Sequence, residues 1–165
     1  MSICELWQAG RGLAYLPTNL IYFLEKEKIM ISTKGRYAIR LIVDLARQDR
    51  ERFTPLGEIA DRQMISKLYL EIILKKLVTA KYIVGKSGKN GGYKLVKEPE
   101  KITVLEILEL MEGTVAPVAC LAKGAKTCPF RKECSTIEMW REFDELTKFF
   151  FSDRTIADLA YDRRE

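Results

Sequence analysis

The sequence has 165 residues, of which 47% are hydrophobic, and it carries a formal net charge of +5 with no histidine. A chain of this length and composition can bury one hydrophobic core, which excludes a disordered tail. The absence of histidine excludes Ser-His-Asp and Cys-His catalytic arrangements, and no P-loop or dinucleotide-binding glycine fingerprint is present. We therefore expect that the protein is not an enzyme.

Charge is unevenly distributed along the chain. Residues 32–97 contain fifteen Lys and Arg against six Asp and Glu, whereas residues 98–165 contain ten against fourteen. A basic half followed by an acidic half indicates that the first half faces a polyanion. The alternative is that these charges only solvate exposed helix faces.

The first 29 residues differ from the rest of the chain. Their apolar run, residues 13–24, is interrupted by Pro17 and is too short to span a membrane, and it lacks the basic start of a signal peptide. The codons just upstream of Met30 can form a bacterial ribosome-binding sequence. We expect that residues 1–29 are a non-native or wrongly assigned extension, that Cys4 takes no part in the chemistry, and that the protein is cytoplasmic with no membrane partner. Detection of residues 1–29 in the natively expressed protein by mass spectrometry would contradict the first of these expectations.

Three helices are predicted after this extension. Apolar residues recur at three- and four-residue steps over residues 32–48, which is typical of an amphipathic helix. Thr54 followed by Pro55 predicts a short second helix with Thr54 as its N-cap, and Ser66 predicts the cap of a third helix. The expected buried face of the third helix is formed by Leu68, Leu70, Ile73, Leu74, Leu77 and Val78. Two short helices separated by a tight turn predict a helix-turn-helix.

A β-hairpin is predicted next. The β-prone runs 82–84 and 92–96 are joined by the glycine-rich segment 85–91, which also carries two lysines. Asn90 and Gly91 favour the positive φ of a tight turn. After a helix-turn-helix, such a basic hairpin is expected to be a wing that contacts DNA.

Three of the four cysteines, Cys120, Cys128 and Cys134, follow a helix predicted from Thr103 to Met111 and lie within fifteen residues of one another. Thiolates are the ligands of iron–sulfur clusters, and three so close in sequence can reach one cluster. The spacing lacks the Cys-x-x-Cys pair that is common in structural zinc sites, so zinc is the weaker metal. Buried thiols, or one disulfide with one free thiol, are further alternatives. The fourth ligand would be a carboxylate, a small molecule or a residue of a second subunit, and the spacing does not select between a two-iron and a four-iron cluster.

A long helix is predicted from Ser135 and carries a stripe of large apolar side chains. The stripe consists of Trp140, Phe143, Leu146, Phe149 and Phe150. A stripe of this size needs a partner, which is either the rest of its own domain or a second copy of the chain. Thr155 with Asp158 predicts a capping box for a short terminal helix.

Several segments carry a family resemblance. They are MISTKGRYAIR at 30–40, YLE at 69–71, GGYKL at 91–95 and ITV at 102–104, together with the three cysteines followed by Trp140. Over residues 30 to about 160 the chain resembles the bacterial winged-helix regulators typified by IscR, NsrR and CymR. The resemblance implies a homodimer whose long C-terminal helices cross-pair, with a wing and a recognition helix from each subunit entering DNA. It also implies that the cysteine loop lies near the dimer interface.

The chain departs from the family pattern at several functional positions. Ile137 stands where IscR proteins place a histidine after the third cysteine, and Arg36 stands where NsrR-like members supply an aspartate. The wing arginine that reads a base in IscR is replaced here by Ser87. Glu133, Glu138 or an exogenous ligand are therefore the candidates for the fourth position of a cluster.

The sequence thus predicts a mainly α fold with a small β-hairpin wing, a winged helix-turn-helix followed by a long C-terminal dimerisation helix. The expected divisions are the extension at 1–29, a winged-helix DNA-binding region at 30–98, a linking helix at 99–116, the cysteine loop at 117–134, and the dimerisation helix with a tail at 135–165. The predicted function is a transcriptional regulator, expected to be a repressor, that binds a pseudo-palindromic operator in double-stranded DNA under the control of an iron–sulfur cluster. The predicted DNA contacts are Lys34, Arg36, Ser66, Lys67, Tyr69, Glu71, Lys86, Ser87, Lys89, Asn90 and Gly91.

The main alternative is a cluster-free regulator that a protein partner or direct thiol oxidation controls. A catalytic thiol would need an exposed, electropositive setting, which only Cys128, between Lys126 and Arg131, offers.

Overall fold

The computed structural model describes residues 31–126 and 128–161, so the expectations for residues 1–29 and Cys4 lie outside the described residues. The elements in chain order are helices α1 (Thr33–Ala46), α2 (Leu56–Gln63) and α3 (Lys67–Thr79), strands β1 (Ile83–Lys86) and β2 (Gly92–Leu95), and helices α4 (Val104–Glu112), α5 (Ile137–Ser152) and α6 (Ile156–Tyr161). Short 3-10 turns lie at Pro99–Lys101 and Ala119–Leu121. The fold is mainly helical with one hairpin, as predicted.

Helix ends are set by local capping. The Ser66 side chain accepts a hydrogen bond from the Tyr69 backbone N–H at 3.3 Å, which starts α3 where the sequence predicts it. Thr103 and Glu106 form a reciprocal capping box at the start of α4, and Gly113 ends that helix with a φ of 82°. The predicted pairing of Thr155 with Asp158 also forms, with hydrogen bonds of 2.7 and 3.1 Å.

Thr54 does not cap α2, and that prediction is wrong. Pro55 is the N-cap residue, with no side-chain capping bond, and α2 begins at Leu56. The backbone of Thr54 is instead paired with Tyr93 through two hydrogen bonds of 2.9 Å, so that Thr54 lies beside strand β2. This long-range pairing takes precedence over the local capping signal and ties the start of α2 to the wing.

The first strand of the hairpin extends further than the sequence predicts, since it covers Ile83–Lys86 rather than residues 82–84. β1 and β2 are antiparallel, with Ile83 opposite Leu95 and Lys86 opposite Gly92. Gly85 therefore belongs to β1 rather than to the loop, and the turn is confined to residues 87–91. Asn90 adopts a φ of 60°, which agrees with its predicted role in the turn.

The core lies around α1, which packs against α4, α6, α2 and β2. Its largest fully buried side chains are Leu41, Ile42, Ile59, Leu70, Ile73, Leu74, Leu77, Ile83, Ile102, Ile107, Leu108 and Met111. The prediction that Leu68 and Val78 belong to the buried face of α3 is wrong, because both are exposed. Leu68 lies about 200° around the helix from Leu70, at 100° per residue, and therefore points away from the core.

One buried ion pair joins α1 to α2. Asp44 is only 6% exposed, and it accepts hydrogen bonds from Arg62 Nε at 2.9 Å and Arg62 Nη2 at 2.8 Å. Gln63 Nε2 donates a third bond to the same carboxylate at 3.0 Å. The hydrogen bonds to Asp44 also raise the pKa of Arg62, so the guanidinium stays charged. This cluster fixes the angle at which α2 leaves α1.

After α5 the chain returns to α1. Ile156 and Ala160 of α6 are buried in the same core as α1, and Arg47 Nε donates to the Ala160 carbonyl at 2.9 Å. The Tyr161 hydroxyl donates to the Ala46 carbonyl at 2.8 Å. The segment between α5 and α6 is also paired with the start of α4, since the Val104 backbone N–H donates to the Arg154 carbonyl at 2.9 Å. Of the helices in the described part of the chain, none is long and apolar enough to cross a membrane.

Candidate nucleic-acid interface and cysteine site

Helices α2 and α3 form the predicted helix-turn-helix. Met64, the C-cap of α2, has a φ of 54°, and this left-handed residue turns the chain sharply towards Ser66. Arg40 of α1 holds the turn, because its guanidinium donates to the side chain and the backbone carbonyl of Gln63. The turn and both helices are therefore set rigidly on α1.

The residues that α3 exposes to solvent differ in part from those that the sequence predicts. Of the predicted base contacts, Ser66, Lys67 and Glu71 are exposed, whereas Tyr69 is half-buried. The Tyr69 ring packs edge-on against Tyr37, with ring centroids 5.7 Å apart. Leu68 and Ile72 were missed as surface residues, although they are 73% and 52% exposed. Their four-residue spacing on the side opposite Leu70 and Leu74 is the signal that could have found them.

The wing lies beside α3 and leaves a groove of about 600 Å³ between them. Glu71 and Lys75 line the helix side of this groove, and Lys86, Ser87 and Gly91 line the wing side. The ammonium groups of Lys86 and Lys94 lie 5.7 and 5.2 Å from the centre of the Phe53 ring. At the tip, Ser87, Lys89 and Asn90 are exposed.

Two more predicted DNA contacts lie at the start of α1. Arg36 is exposed and donates to the Thr33 hydroxyl at 3.2 Å, and Lys34 is half-buried. All eleven predicted DNA contacts lie in the described residues, and their role stays a prediction.

Replacement of Gly92 by alanine is expected to detach the wing from α2. Gly92 has a φ of 149°, and a Cβ at this position would collide with the Thr54 backbone. The loss of the Thr54–Tyr93 pairing should cost about 2 kcal/mol and weaken binding to an operator duplex about tenfold, which fluorescence anisotropy measures.

Gly88→Ala is the matched control for this substitution. Gly88 also has a positive φ of 89°, but a Cβ there would meet nothing within 4 Å. We expect its effect on affinity to stay below about threefold, since only backbone strain is added. Equal effects of the two substitutions would contradict the anchoring role of Gly92.

The three cysteines converge on one small cavity. Cys120, Cys128 and Cys134 all line a cavity of about 30 Å³, together with Leu121, Arg131, Ile137 and Arg141. All three are free thiols; Cys120 is exposed, and the other two are half-buried. In residues 31–126 and 128–161, no group of three His, Cys, Asp or Glu side chains is already arranged as a metal site. The structure thus brings the predicted thiols to one place without assembling a finished coordination shell.

Cys134 is the thiol with a perturbed acidity. Its Sγ lies 3.5 Å from the Thr136 hydroxyl, and hydrogen bonds from the side chain and then the backbone of Thr136 lower the pKa of Cys134 below its usual range. More of this thiol is therefore thiolate near neutral pH than in a free cysteine.

A Thr136→Val variant is expected to raise the pKa of Cys134, because valine keeps the shape of threonine but cannot donate a hydrogen bond. In metal-free protein, alkylation of Cys134 by iodoacetamide at pH 7.5 should slow severalfold, and the difference should vanish above pH 10, where the thiol is ionised in both proteins. Peptide mass spectrometry measures the rate at each cysteine. A pH profile that the substitution leaves unchanged would contradict the role of Thr136.

Helix α5 starts immediately after the cysteines and exposes an apolar face. Phe143, Leu146, Phe149 and Phe150 are all exposed on it, and Trp140 is half-buried. The adjacent side of the helix carries the buried residues Asp144 and Thr147 and packs against α4. Within residues 31–126 and 128–161, the predicted stripe is therefore left largely exposed.

The C-terminal end of α4 contacts both the start of α1 and helix α3. Glu112 Oε1 accepts hydrogen bonds from the Ser32 hydroxyl at 2.7 Å and the Ser32 backbone N–H at 3.1 Å, at the start of α1. Lys76 of α3 donates to the carbonyls of Leu110 and Met111 at 3.5 and 3.4 Å. The chain then turns at Gly113 and leads to the cysteine cavity.

Comparison with known proteins decides the family. Residues 31–162 match the Rrf2 model, which is described as an iron-dependent transcriptional regulator. The chain belongs to the Rrf2 family. It is accordingly a DNA-binding transcriptional regulator, and its relatives are regulators rather than enzymes, as the sequence predicts.

Individual relatives agree with the Rrf2 assignment. The chain is 31% identical over 132 residues to the transcriptional regulator IscR of Vibrio atlanticus, covering 80% of this chain and 75% of the relative. It is 33% identical to the protein rrf2 of Nitratidesulfovibrio vulgaris, covering 80% and 87% of the two chains.

Solved structures of Rrf2 proteins have the same fold. CymR, the global cysteine regulator of B. subtilis, matches with a TM-score of 0.64 and 32% identity, covering 79% of this chain and 95% of that chain. IscR of T. potens matches with a TM-score of 0.64 and 28% identity, covering 82% and 88%. These matches confirm the predicted winged-helix fold class and the predicted resemblance.

Proposed function

We propose that this Rrf2 protein is a homodimeric repressor of the bacterial cytoplasm whose operator affinity is controlled by an iron–sulfur cluster on Cys120, Cys128 and Cys134. The observation that carries the proposal is the convergence of these three thiols on one cavity at the start of α5. The division into a winged-helix region at 30–98, a linking helix at 99–116, a cysteine loop at 117–134 and a dimerisation segment at 135–165 is part of the same proposal.

The donor set fits an iron–sulfur cluster, and it lacks the Cys-x-x-Cys pair that is common in structural zinc sites. Three thiolates supply soft, negatively charged ligands, and Arg131 and Arg141 in the cavity lining offset that charge. Histidine is absent from the sequence, so a fourth ligand would come from a carboxylate such as Glu133 or Glu138, from a small molecule or from the second subunit. When bound, the cluster would supply a redox-sensitive link between the three cysteines.

The DNA side of the proposal divides the exposed residues by role. Lys34, Arg36, Lys86 and Lys89 neutralise phosphates, which positions the protein without reading sequence. Ser66, Lys67, Tyr69 and Glu71 remain the proposed base contacts, and Glu71 can accept a hydrogen bond from cytosine N4. Ser87, Asn90 and Gly91 shape the wing tip. Two recognition helices in a dimer imply a pseudo-palindromic operator in double-stranded DNA, with half-sites about one helical turn apart.

The C-terminal end of α4 would couple the cysteine site to the DNA-binding helices. Glu112 holds Ser32 of α1, Lys76 of α3 holds the last carbonyls of α4, and Gly113 joins this end to the cysteine segment. A shift of the cysteine segment would therefore be transmitted through α4 to α1 and α3 together.

Anaerobic purification of the full chain tests the cluster. We expect a coloured protein with matched iron and acid-labile sulfide, whose operator affinity changes after oxidation. Cys128→Ser should abolish both the colour and the response, whereas Cys4→Ser, the matched control in the predicted extension, should abolish neither. A protein that stays colourless after reconstitution would overturn the cluster proposal.

A cluster-free regulator is the second candidate. It is favoured by the low pKa of Cys134 and by a structural match to the oxidized form of Staphylococcus aureus CymR, at 28% identity and a TM-score of 0.63 over 82% of this chain and 98% of that chain. In that case hydrogen peroxide would oxidise a thiolate to a sulfenic acid and release hydroxide, or a regulatory protein partner would bind. A colourless protein whose operator affinity falls with peroxide would support direct oxidation, and a response to an added partner alone would support the other form.

A further inference from the structure

The outward face of α3 presents aliphatic side chains to solvent. Leu68 and Ile72 are four residues apart, lie on one side of the helix, and are 73% and 52% exposed. The core side of α3 is already filled by Leu70, Ile73, Leu74 and Leu77, all essentially inaccessible to solvent. Leu68 and Ile72 therefore contribute little to the packing of this protomer.

The surroundings of this aliphatic pair are basic. Lys67 immediately precedes Leu68, and Lys75 follows Ile72 by three residues on the same side; both lysines are exposed. Lys86, across the groove from Lys75, adds a third cation. Glu71, next to Ile72, is an exposed acidic neighbour, so three cations stand against one carboxylate. A small apolar patch with this net positive charge around it complements a surface that is anionic around an apolar feature, which favours nucleic acid over an apolar protein surface.

The major groove of DNA offers one apolar group of this kind. Every base pair presents hydrogen-bonding edges there, and thymine alone of the four bases adds the C5 methyl group, which aliphatic side chains contact. Ser66 caps α3, so Leu68 and Ile72 lie in its first two turns, the part of a recognition helix that approaches base edges.

We propose that Leu68 and Ile72 are specificity-determining residues that contact thymine methyl groups in each operator half-site. This proposal rests on the proposed function, since it requires that α3 enters the major groove. Leu68 and Ile72 would then recognise bases by apolar contact, while Glu71, on the wing side of α3, would recognise them by hydrogen bonding. The preferred half-site then carries thymines at the positions that face Leu68 and Ile72.

Deoxyuridine tests this directly, because it differs from thymidine only by the missing methyl group. The full chain would first select its preferred duplexes from a random library. Affinity would then be measured for the selected duplex with thymidine or with deoxyuridine at each thymine. We expect one or two positions per half-site at which the loss of the methyl group weakens binding about fourfold, the factor that corresponds to one buried methylene.

Variants connect the methyl effect to these two residues. In Leu68→Ser/Ile72→Ser, the ratio of affinities for thymidine and deoxyuridine duplexes should fall to about one, with no change in thermal stability because both side chains are exposed. Val78→Ser is the matched control: Val78 is an exposed aliphatic residue of the same helix that lines the groove instead, and its ratio should equal that of the wild type.

Each of the other possible results contradicts either the methyl-contact proposal or the proposed function. A selected duplex that binds equally well with deoxyuridine, or a ratio that the double variant retains, would overturn the methyl-contact proposal and leave the proposed function standing. Failure of the library to yield any preferred sequence would overturn the proposed function, and this inference with it.

Discussion

Substitution of both Leu146 and Phe149 by glutamate is expected to convert the protein to a monomer and to weaken operator binding by at least about 100-fold. These side chains are 66% and 69% exposed in one protomer, at the centre of the apolar face of α5. At a two-fold interface each substitution occurs in both subunits, so four apolar side chains would be replaced by charges. Burial of each of these side chains stabilises the dimer by about 1.5–3 kcal/mol. Size-exclusion chromatography with light scattering measures the mass, and anisotropy measures the affinity.

Glu145→Lys is the control for this double variant. Glu145 is exposed on α5 outside the apolar stripe, so its reversal changes the charge of the helix by two units without adding a charge to the stripe. We expect it to remain dimeric with affinity within about threefold of the wild type. A Leu146→Glu/Phe149→Glu protein that keeps the mass of a dimer would show that α5 does not form the dimer contact.

Asp44→Ala is expected to lower the free energy of unfolding by about 2–3 kcal/mol. It removes the acceptor of three hydrogen bonds and leaves the Arg62 guanidinium without its buried partner. The loss lies below the roughly 3–5 kcal/mol typical of a fully buried pair, because the Arg62 side chain is 34% exposed and regains water. Urea denaturation followed by circular dichroism measures the change.

Two further variants separate the causes of that loss. Asp44→Leu combined with Arg62→Met removes both charges and should recover most of the stability, since a buried pair replaced by apolar side chains is close to neutral. Arg52→Ala removes an exposed ion pair with Glu58, whose N–O distance is 2.9 Å, and should cost below about 0.5 kcal/mol. A small effect of Asp44→Ala, similar to that of Arg52→Ala, would contradict the importance of the buried pair.

Features set by neighbouring residues were predictable from the sequence. The cap at Ser66 and the pairing of Thr155 with Asp158 each depend on groups within a few residues, and the structure has both where the pattern predicts them. The convergence of the three cysteines also follows from their proximity in the chain.

Features set by distant residues were not predictable in the same way. Thr54 carries a strong capping signal, but Tyr93, thirty-nine positions later, pairs with its backbone. On α3, Leu68 and Val78 fit an apolar pattern that leaves the buried side ambiguous, and the packing of α3 against α1, α2, α4 and β1 decides it. The fourth position of the proposed cluster lies beyond sequence reasoning for a related reason, since a second subunit or a small molecule can supply it.

The return of α6 to α1 limits how α5 can move. Arg47 and Tyr161 fasten α6 to the end of α1, and the segment before α6 is paired with the start of α4. A helix held beyond its C-terminal end in this way can tilt but cannot slide along its own axis. In the proposed dimer, a change at the cysteine segment would then rotate each winged-helix unit as a whole, so that the distance between the two recognition helices, rather than the shape of either one, would change.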